Sequence, residues 1–110
     1  MQEQTAICTY RVQSRHEDRF LELLARHWRT LHGLGLVTDE RSEIYRSVDE
    51  PPTYVEIFTW REGGLEQART HPDVLAIWDP MEPLLEERDG RPAREFPRYR
   101  RKPATRQPSS

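Results

Sequence analysis

Tyr54-Val55-Glu56-Ile57-Phe58-Thr59-Trp60-Arg61 is the stretch that decides how this chain folds. Its β-branched and aromatic residues suit a pleated, buried strand. Successive side chains of a strand point to opposite faces. Val55 and Ile57 therefore face one way, while Tyr54, Phe58 and Trp60 face the other with Glu56 among them. A strand apolar on both faces needs cover on both faces.

Outward from this strand, Asp49-Glu50-Pro51-Pro52 breaks the chain, because consecutive prolines remove ladder donors. Glu43 to Val48 reads as a short strand joined to it by a hairpin connection. Thr5 to Val12 reads as the first strand, with Ala6, Cys8, Tyr10 and Val12 on one face. Phe20, Leu24, Trp28 and Leu31 then follow at helical spacing, widened by Leu21, Leu23 and His27. Ser14-x-x-Glu17 has the form of a capping box at the start of that helix, and Gly33 is the expected C-cap. Beyond the central strand, Gly63-Gly64 makes a turn and Leu65 to Thr70 a short helix. His71-Pro72 opens a second helical segment that Pro80 and Pro83 should kink or split. Ala93 to Arg100 is the last strand, with Pro97 marking an edge, a bulge or a bend.

The order β-α-β-β-α-β is that of a ferredoxin-like α+β fold with an antiparallel four-stranded sheet. Two helices cover one face of such a sheet. A second copy packed on the other face is the simplest remedy, so a homodimer through the sheet is expected. Which face holds a pocket, and whether the last strand crosses to the partner, stay open.

A length of 110 residues allows one domain, placed at 1–100, with a disordered basic tail at 101–110. Residues 1–90 carry 10 Lys/Arg against 18 Asp/Glu, a net of −8, and residues 91–110 carry 7 against 1, a net of +6. Prolines interrupt the basic stretch, which favours a solvated tail over a nucleic-acid arm. No run has the length of a membrane span, and no secretory signal opens the chain. Cys8 is the sole cysteine, so an internal disulfide is impossible and a cytoplasmic location is expected.

Tyr10-Arg11-Val12 ahead of Glu17-Asp18-x-Phe20, and Tyr54 to Trp60 followed by a short helix and His71-Pro72, resemble the antibiotic biosynthesis monooxygenase (ABM) group of the dimeric α/β-barrel superfamily. The segment His71 to Met81 is similar to that of an uncharacterised bacterial subgroup. The resemblance spans roughly residues 5–100. It implies a pocket between helices and sheet in each protomer, and two sheets facing each other across a dimer. It implies less about the reaction, since the superfamily includes cofactor-free monooxygenases, haem-degrading enzymes and isomerase-like proteins.

Familiar catalytic signatures are absent: there is no phosphate loop, nucleophile elbow or His-Glu-x-x-His. His27 and His32 are five apart and do not share a helical face, so no metal site is expected. Cys8, mid-strand, reads as a packed thiol. Tyr10, Trp28, Trp60 and Trp78, with Tyr54, could line an aromatic pocket or pack the core, and His27 lies on the apolar stripe of the helix. His71, at a helix start, reads equally as a base or a cap. Glu56 is the oddest residue. A carboxylate on so apolar a strand must be paired, either across a dimer interface with Arg11 or Arg46, or as a pocket acid or base. Glu56 and His71 are thus the candidate catalytic pair, and Tyr10, His27, Trp28, Trp60 and Trp78 the candidate substrate-binding residues.

The expected function is an ABM-like, cofactor-independent monooxygenase acting without metal or flavin on a small aromatic or polyketide-like molecule. The alternative is a non-catalytic or stress-linked homodimer that binds a small molecule in the same pocket.

Overall fold

The computed structural model describes residues 3–103. The elements are β1 (Gln4–Arg11), α1 (Glu17–Gly33), β2 (Glu43–Arg46), β3 (Thr53–Trp60), α2 (Gly64–Ala68), α3 (Pro72–Met81), β4 (Arg94–Glu95) and β5 (Arg98–Tyr99). The sheet runs β2-β3-β1-β4, with β5 also paired to β1, and every pairing is antiparallel. This is the ferredoxin-like α+β arrangement expected from element order. β4 and β5 are one strand interrupted at Pro97, whose carbonyl still accepts from the Ile7 amide at 3.0 Å. A proline has no N–H to give the ladder, and the strand is split there. The expectation of a disordered tail falls mostly on residues 104–110, outside the described residues.

All helices lie on one face of the sheet, and the β1–β3 register decides what they cover. Tyr10 pairs with Tyr54, Cys8 with Glu56 and Ala6 with Phe58, and all six are buried. The other face carries Thr5, Ile7 and Thr9 from β1 beside Val55, Ile57 and Thr59 from β3, half-buried, with Tyr45 and Tyr99 exposed at its flanks. The aromatic side of β3 is therefore covered within one chain. What remains open is an aliphatic and threonine surface.

Phe20 of α1 is fully buried between Tyr10 and Tyr54, with ring centroids 5.2 Å from each. This contact fixes α1 across the middle of the sheet. The capping box does not form. Residues Ser14–His16 make a 3-10 turn, and α1 begins at Glu17. The Ser14 hydroxyl donates to Glu50, 3.0 Å away, and the Glu17 carboxylate accepts from Arg46 and from the Tyr54 hydroxyl. A guanidinium and a phenol hydroxyl outcompete a backbone amide for the carboxylate. They also hold Glu17 below its ordinary range, Arg46 contributing most and Tyr54 next.

The helix ends at Gly33 with Leu34 as its C-cap, and the glycine that turns the chain is two residues later than expected. Gly35, not Gly33, takes the left-handed conformation at φ 76°. Its amide bonds His32 and the Leu36 amide bonds Leu31, the Schellman arrangement. Among the helices of the described residues, none is long and apolar enough to cross a membrane.

Two glycines on this framework differ sharply. A Cβ on Gly64 would sit 2.2 Å from the Leu36 carbonyl oxygen and 3.3 Å from the Trp60 ring, whereas one on Gly33 would meet nothing within 4 Å. Gly64→Ala is expected to lower stability by roughly 2–4 kcal/mol through forced backbone displacement. Gly33→Ala should raise it by up to about 1 kcal/mol through helix propensity. Urea unfolding of both variants checks the opposite signs.

Candidate active site

The helix-covered side of the sheet holds a cavity of about 510 Å³. Its floor is the inward face of β1 and β3, through Ala6, Cys8, Tyr10, Phe58 and Trp60. Its wall is His27 of α1 with Leu75 and Trp78 of α3. Phe96, between the two halves of the last strand and 45% exposed, lines the remaining side.

Behind the floor stands Glu56, with no exposed surface. It points away from the open sheet face and does not pair with Arg11 or Arg46. Arg11 goes to Glu95 and the Pro92 carbonyl, and Arg46 to Glu17 and Glu50. Glu56 points into the protein because the β1–β3 register puts it on the face of Tyr54 and Phe58. There it accepts the Tyr10 hydroxyl at 2.8 Å, and His27 Nδ1 lies 3.0 and 3.1 Å from its two oxygens.

The other nitrogen of His27, Nε2, lies 2.9 Å from the Trp78 indole Nε1. An indole N–H can only donate, so Nε2 is a bare acceptor and the imidazole proton sits on Nδ1, pointed at Glu56. The proton order is thus Trp78 to His27 to Glu56, with Tyr10 giving a second bond to the same carboxylate. Every bond Glu56 makes here is one it accepts, as a carboxylate does. A carboxylate that orients an imidazole through Nδ1 leaves Nε2 as the nitrogen available for proton transfer.

The neighbours respond to this charge. Burial, then the charge of Glu56, pushes the Tyr10 phenol well above its ordinary range. The same two causes, in the same order, push up the Cys8 thiol. Cys8 lines the cavity but is not a ready nucleophile, because the thiolate is the reactive form. Toward solvent the cavity is edged by Arg69, Arg94 and Arg98, with Asp79 and Glu82. Arg94 pairs with Glu82 at 2.7 Å, and Arg98 donates to Gln4 at 3.0 Å.

The residues singled out in the sequence divide cleanly. Tyr10, His27, Trp60 and Trp78 line the cavity, and Glu56 stands directly behind it. His71 does not line it. Its Nδ1 accepts the Asp73 amide at 3.1 Å, so His71 caps α3. Of its two readings, base or cap, the structure realises the cap. Trp28 lies elsewhere, stacked on His32 with centroids 4.6 Å apart and under the Arg41 guanidinium at 5.5 Å. Being four residues from Leu24 and three from Leu31 placed it on the apolar stripe, but at its edge, away from the cavity. The mouth arginines were missed. Arg94, Phe96 and Arg98 alternate at the two-residue period of one strand face, a signal present in the sequence. Among the described residues no group of three His, Cys, Asp or Glu side chains is placed to hold a metal ion.

No protein-family model matches the chain, and neither does any curated protein. Solved structures do. SnoaB, a cofactor-independent oxygenase from Streptomyces nogalater, matches in a mutant form with a TM-score of 0.71 at 17% identity, covering 99% of this chain and 100% of that one. A candidate antibiotic biosynthesis monooxygenase from Nitrosomonas europaea matches with a TM-score of 0.70 at 15% identity, covering 90% and 89%. A conserved protein from Methanosarcina mazei Go1 matches at 0.66 and 18%, covering 93% and 95%. The chain therefore shares the fold of these proteins, the ferredoxin-like α+β arrangement described above. Likeness at this identity establishes shape, and the chemistry rests on the residues above.

Removing the buried carboxylate is the direct test of the network. Glu56→Leu would strand the Tyr10 hydroxyl and the His27 Nδ1–H without acceptors, and is expected to cost about 3–5 kcal/mol. Glu56→Gln keeps one acceptor oxygen and should cost about 1–3 kcal/mol. Denaturant midpoints of the two variants give the ranking.

Proposed function

We propose that this chain is an ABM-like, cofactor-independent monooxygenase that acts on a small aromatic or polyketide-like molecule in the cavity between helices and sheet. The observation that carries the reading is the Glu56–His27 pair set in the wall of an aromatic-lined cavity. His27, backed by Glu56, takes the place in this reading first given to His71.

In the proposed reaction, His27 Nε2 removes a proton from a CH₂ or phenolic OH of the substrate. The resulting anion supplies the electrons that O₂ requires. A C–O bond forms at a carbon that still carries a hydrogen, and the peroxide takes back the proton held by His27, giving a hydroperoxide. This loses water to leave a carbonyl, so one oxygen atom enters the product and the other departs as water. Phe58, Trp60 and Phe96 hold the ring system and keep bulk water out. The arginines at the mouth favour the anionic intermediate.

A second reading has its own observation. Nε2 of His27 is already occupied by the Trp78 indole. On this account the chain is a small-molecule-binding protein without turnover.

Oxygen consumption separates the two. With hydroxylated anthrones as substrates, the wild type should consume O₂, and His27→Gln should lose about 10²–10⁴-fold in rate. Ligand binding without O₂ uptake by any of them would favour the second reading.

The same reading includes a homodimer through the open sheet face, and a cytoplasmic home in which the one thiol stays reduced. Ile7 and Ile57 are cross-strand partners in the middle of that face. Native mass spectrometry at micromolar concentration should show a dimer for the wild type and a monomer for Ile57→Lys, which places a charge at its centre. A dominant wild-type monomer would remove the dimer from the reading.

A further inference from the structure

We infer that the Trp78 indole is a displaceable latch on the His27 lone pair, and that the ligand that opens it is an aromatic compound carrying a hydroxyl group. This rests on the reading of His27 as the cavity's base and goes beyond it by assigning Trp78 a positioning role and the ligand a required functional group.

The Nε2 atom of His27 has one lone pair, and it already accepts the Trp78 N–H at 2.9 Å. No substrate proton reaches that lone pair while the indole holds it. The other bonds of the network cannot yield. Tyr10, His27 and Glu56 are each at most 2% exposed, so a group released there would have no water to turn to. Trp78 differs. It is half-buried, on α3 at the cavity wall, and a freed indole N–H there can bond to water.

The exchange conserves hydrogen bonds. The indole N–H leaves Nε2 for solvent, and a ligand hydroxyl takes its place. A phenolic O–H is the stronger donor and, unlike the indole, acidic enough to pass its proton to the imidazole. The latch therefore sorts ligands. An aromatic with no donor fills the cavity without displacing the indole, because doing so would leave Nε2 without a partner at a cost comparable to a lost hydrogen bond. Until a donor arrives, the indole keeps the imidazole proton on Nδ1, facing Glu56.

The experiment uses ¹⁵N-labelled protein with 2-naphthol and 2-methoxynaphthalene as probes. The two share an aromatic body, and only the first has a hydrogen to donate. The readout is the nitrogen–nitrogen coupling across the Trp78–His27 hydrogen bond, which ring currents from a bound aromatic do not create or abolish. Three tryptophans give three indole signals, and Trp78→Phe identifies the one that matters. The coupling should be present without ligand, vanish with 2-naphthol and persist with 2-methoxynaphthalene. Trp78→Phe should bind 2-naphthol roughly fivefold more tightly, with no latch bond to break, and 2-methoxynaphthalene within about twofold of the wild type. The latch is overturned if the coupling is absent in the free protein, survives saturation with 2-naphthol, or is lost equally with both probes. Binding of both probes with the coupling intact would sink the latch and leave the cavity reading standing. Binding of neither at millimolar concentration would overturn both.

Discussion

A carboxylate sealed from water costs several kcal/mol unless donors surround it, and Glu56 is sealed completely. Meeting that demand ties three elements to one residue of β3. β1 sends Tyr10, α1 sends His27, and α3 is joined through the Trp78 indole on the far side of the imidazole. The β1–β3 register is fixed by the same charge. A slip of one residue would turn Glu56 to the open face, and Tyr54, Phe58 and Trp60 with it. The donors would then be left buried without an acceptor. Strand register, helix docking and the cavity wall are thus consequences of where one carboxylate must sit.

The architecture was legible in the sequence because it depends on periodicity. Strand alternation in β1 and β3 and the helical stripe of α1 survive any detail of packing, and the structure reproduces each. End signals survived less well. Ser14 and Glu17 have the spacing of a capping box, yet Arg46 and Tyr54 reach Glu17 from β2 and β3 and claim its carboxylate. Those are contacts between residues 29 and 37 apart, which no local pattern reveals. The site was legible by residue type but not by arrangement. Glu56 stood out as a charge on an apolar strand and His27 as an imidazole on an apolar stripe. That each is the other's partner follows only once α1 crosses the sheet. His71 looked equally good in sequence because a helix-capping histidine and a catalytic one occupy the same kind of position.

The polar chain does two kinds of work with different atoms. Tyr10, Glu56 and His27 Nδ1 are inward and mutually satisfied, so they hold the fold. Only Nε2 faces the cavity, and only its partner is within reach of solvent. This division lets an imidazole present one nitrogen to a cavity without loosening the core around it. It also explains why Cys8, though at the cavity surface, contributes no nucleophile. Burial first, and then the charge that orients His27, disfavour a thiolate there.

The cavity mouth completes the electrostatic pattern. The first ninety residues carry a net charge of −8, yet Arg69, Arg94 and Arg98 gather where the cavity opens. Two of them come from the last strand, within the stretch that carries the chain's excess positive charge. An exposed arginine contributes at most about 1 kcal/mol to a partner ion, so the group adds little to affinity by itself. Its effect is on direction. In the proposed reaction, an anion formed beside His27 would have a buried carboxylate behind the imidazole and guanidinium groups at the mouth. Arg94 is already paired with Glu82, and Asp79 lies at the same edge, so the three arginines outnumber the carboxylates there by one. In the proposed reaction that balance favours negative charge that delocalises across the ring, away from Glu56. A fused aromatic system spanning the cavity does this, and a small isolated acid does not.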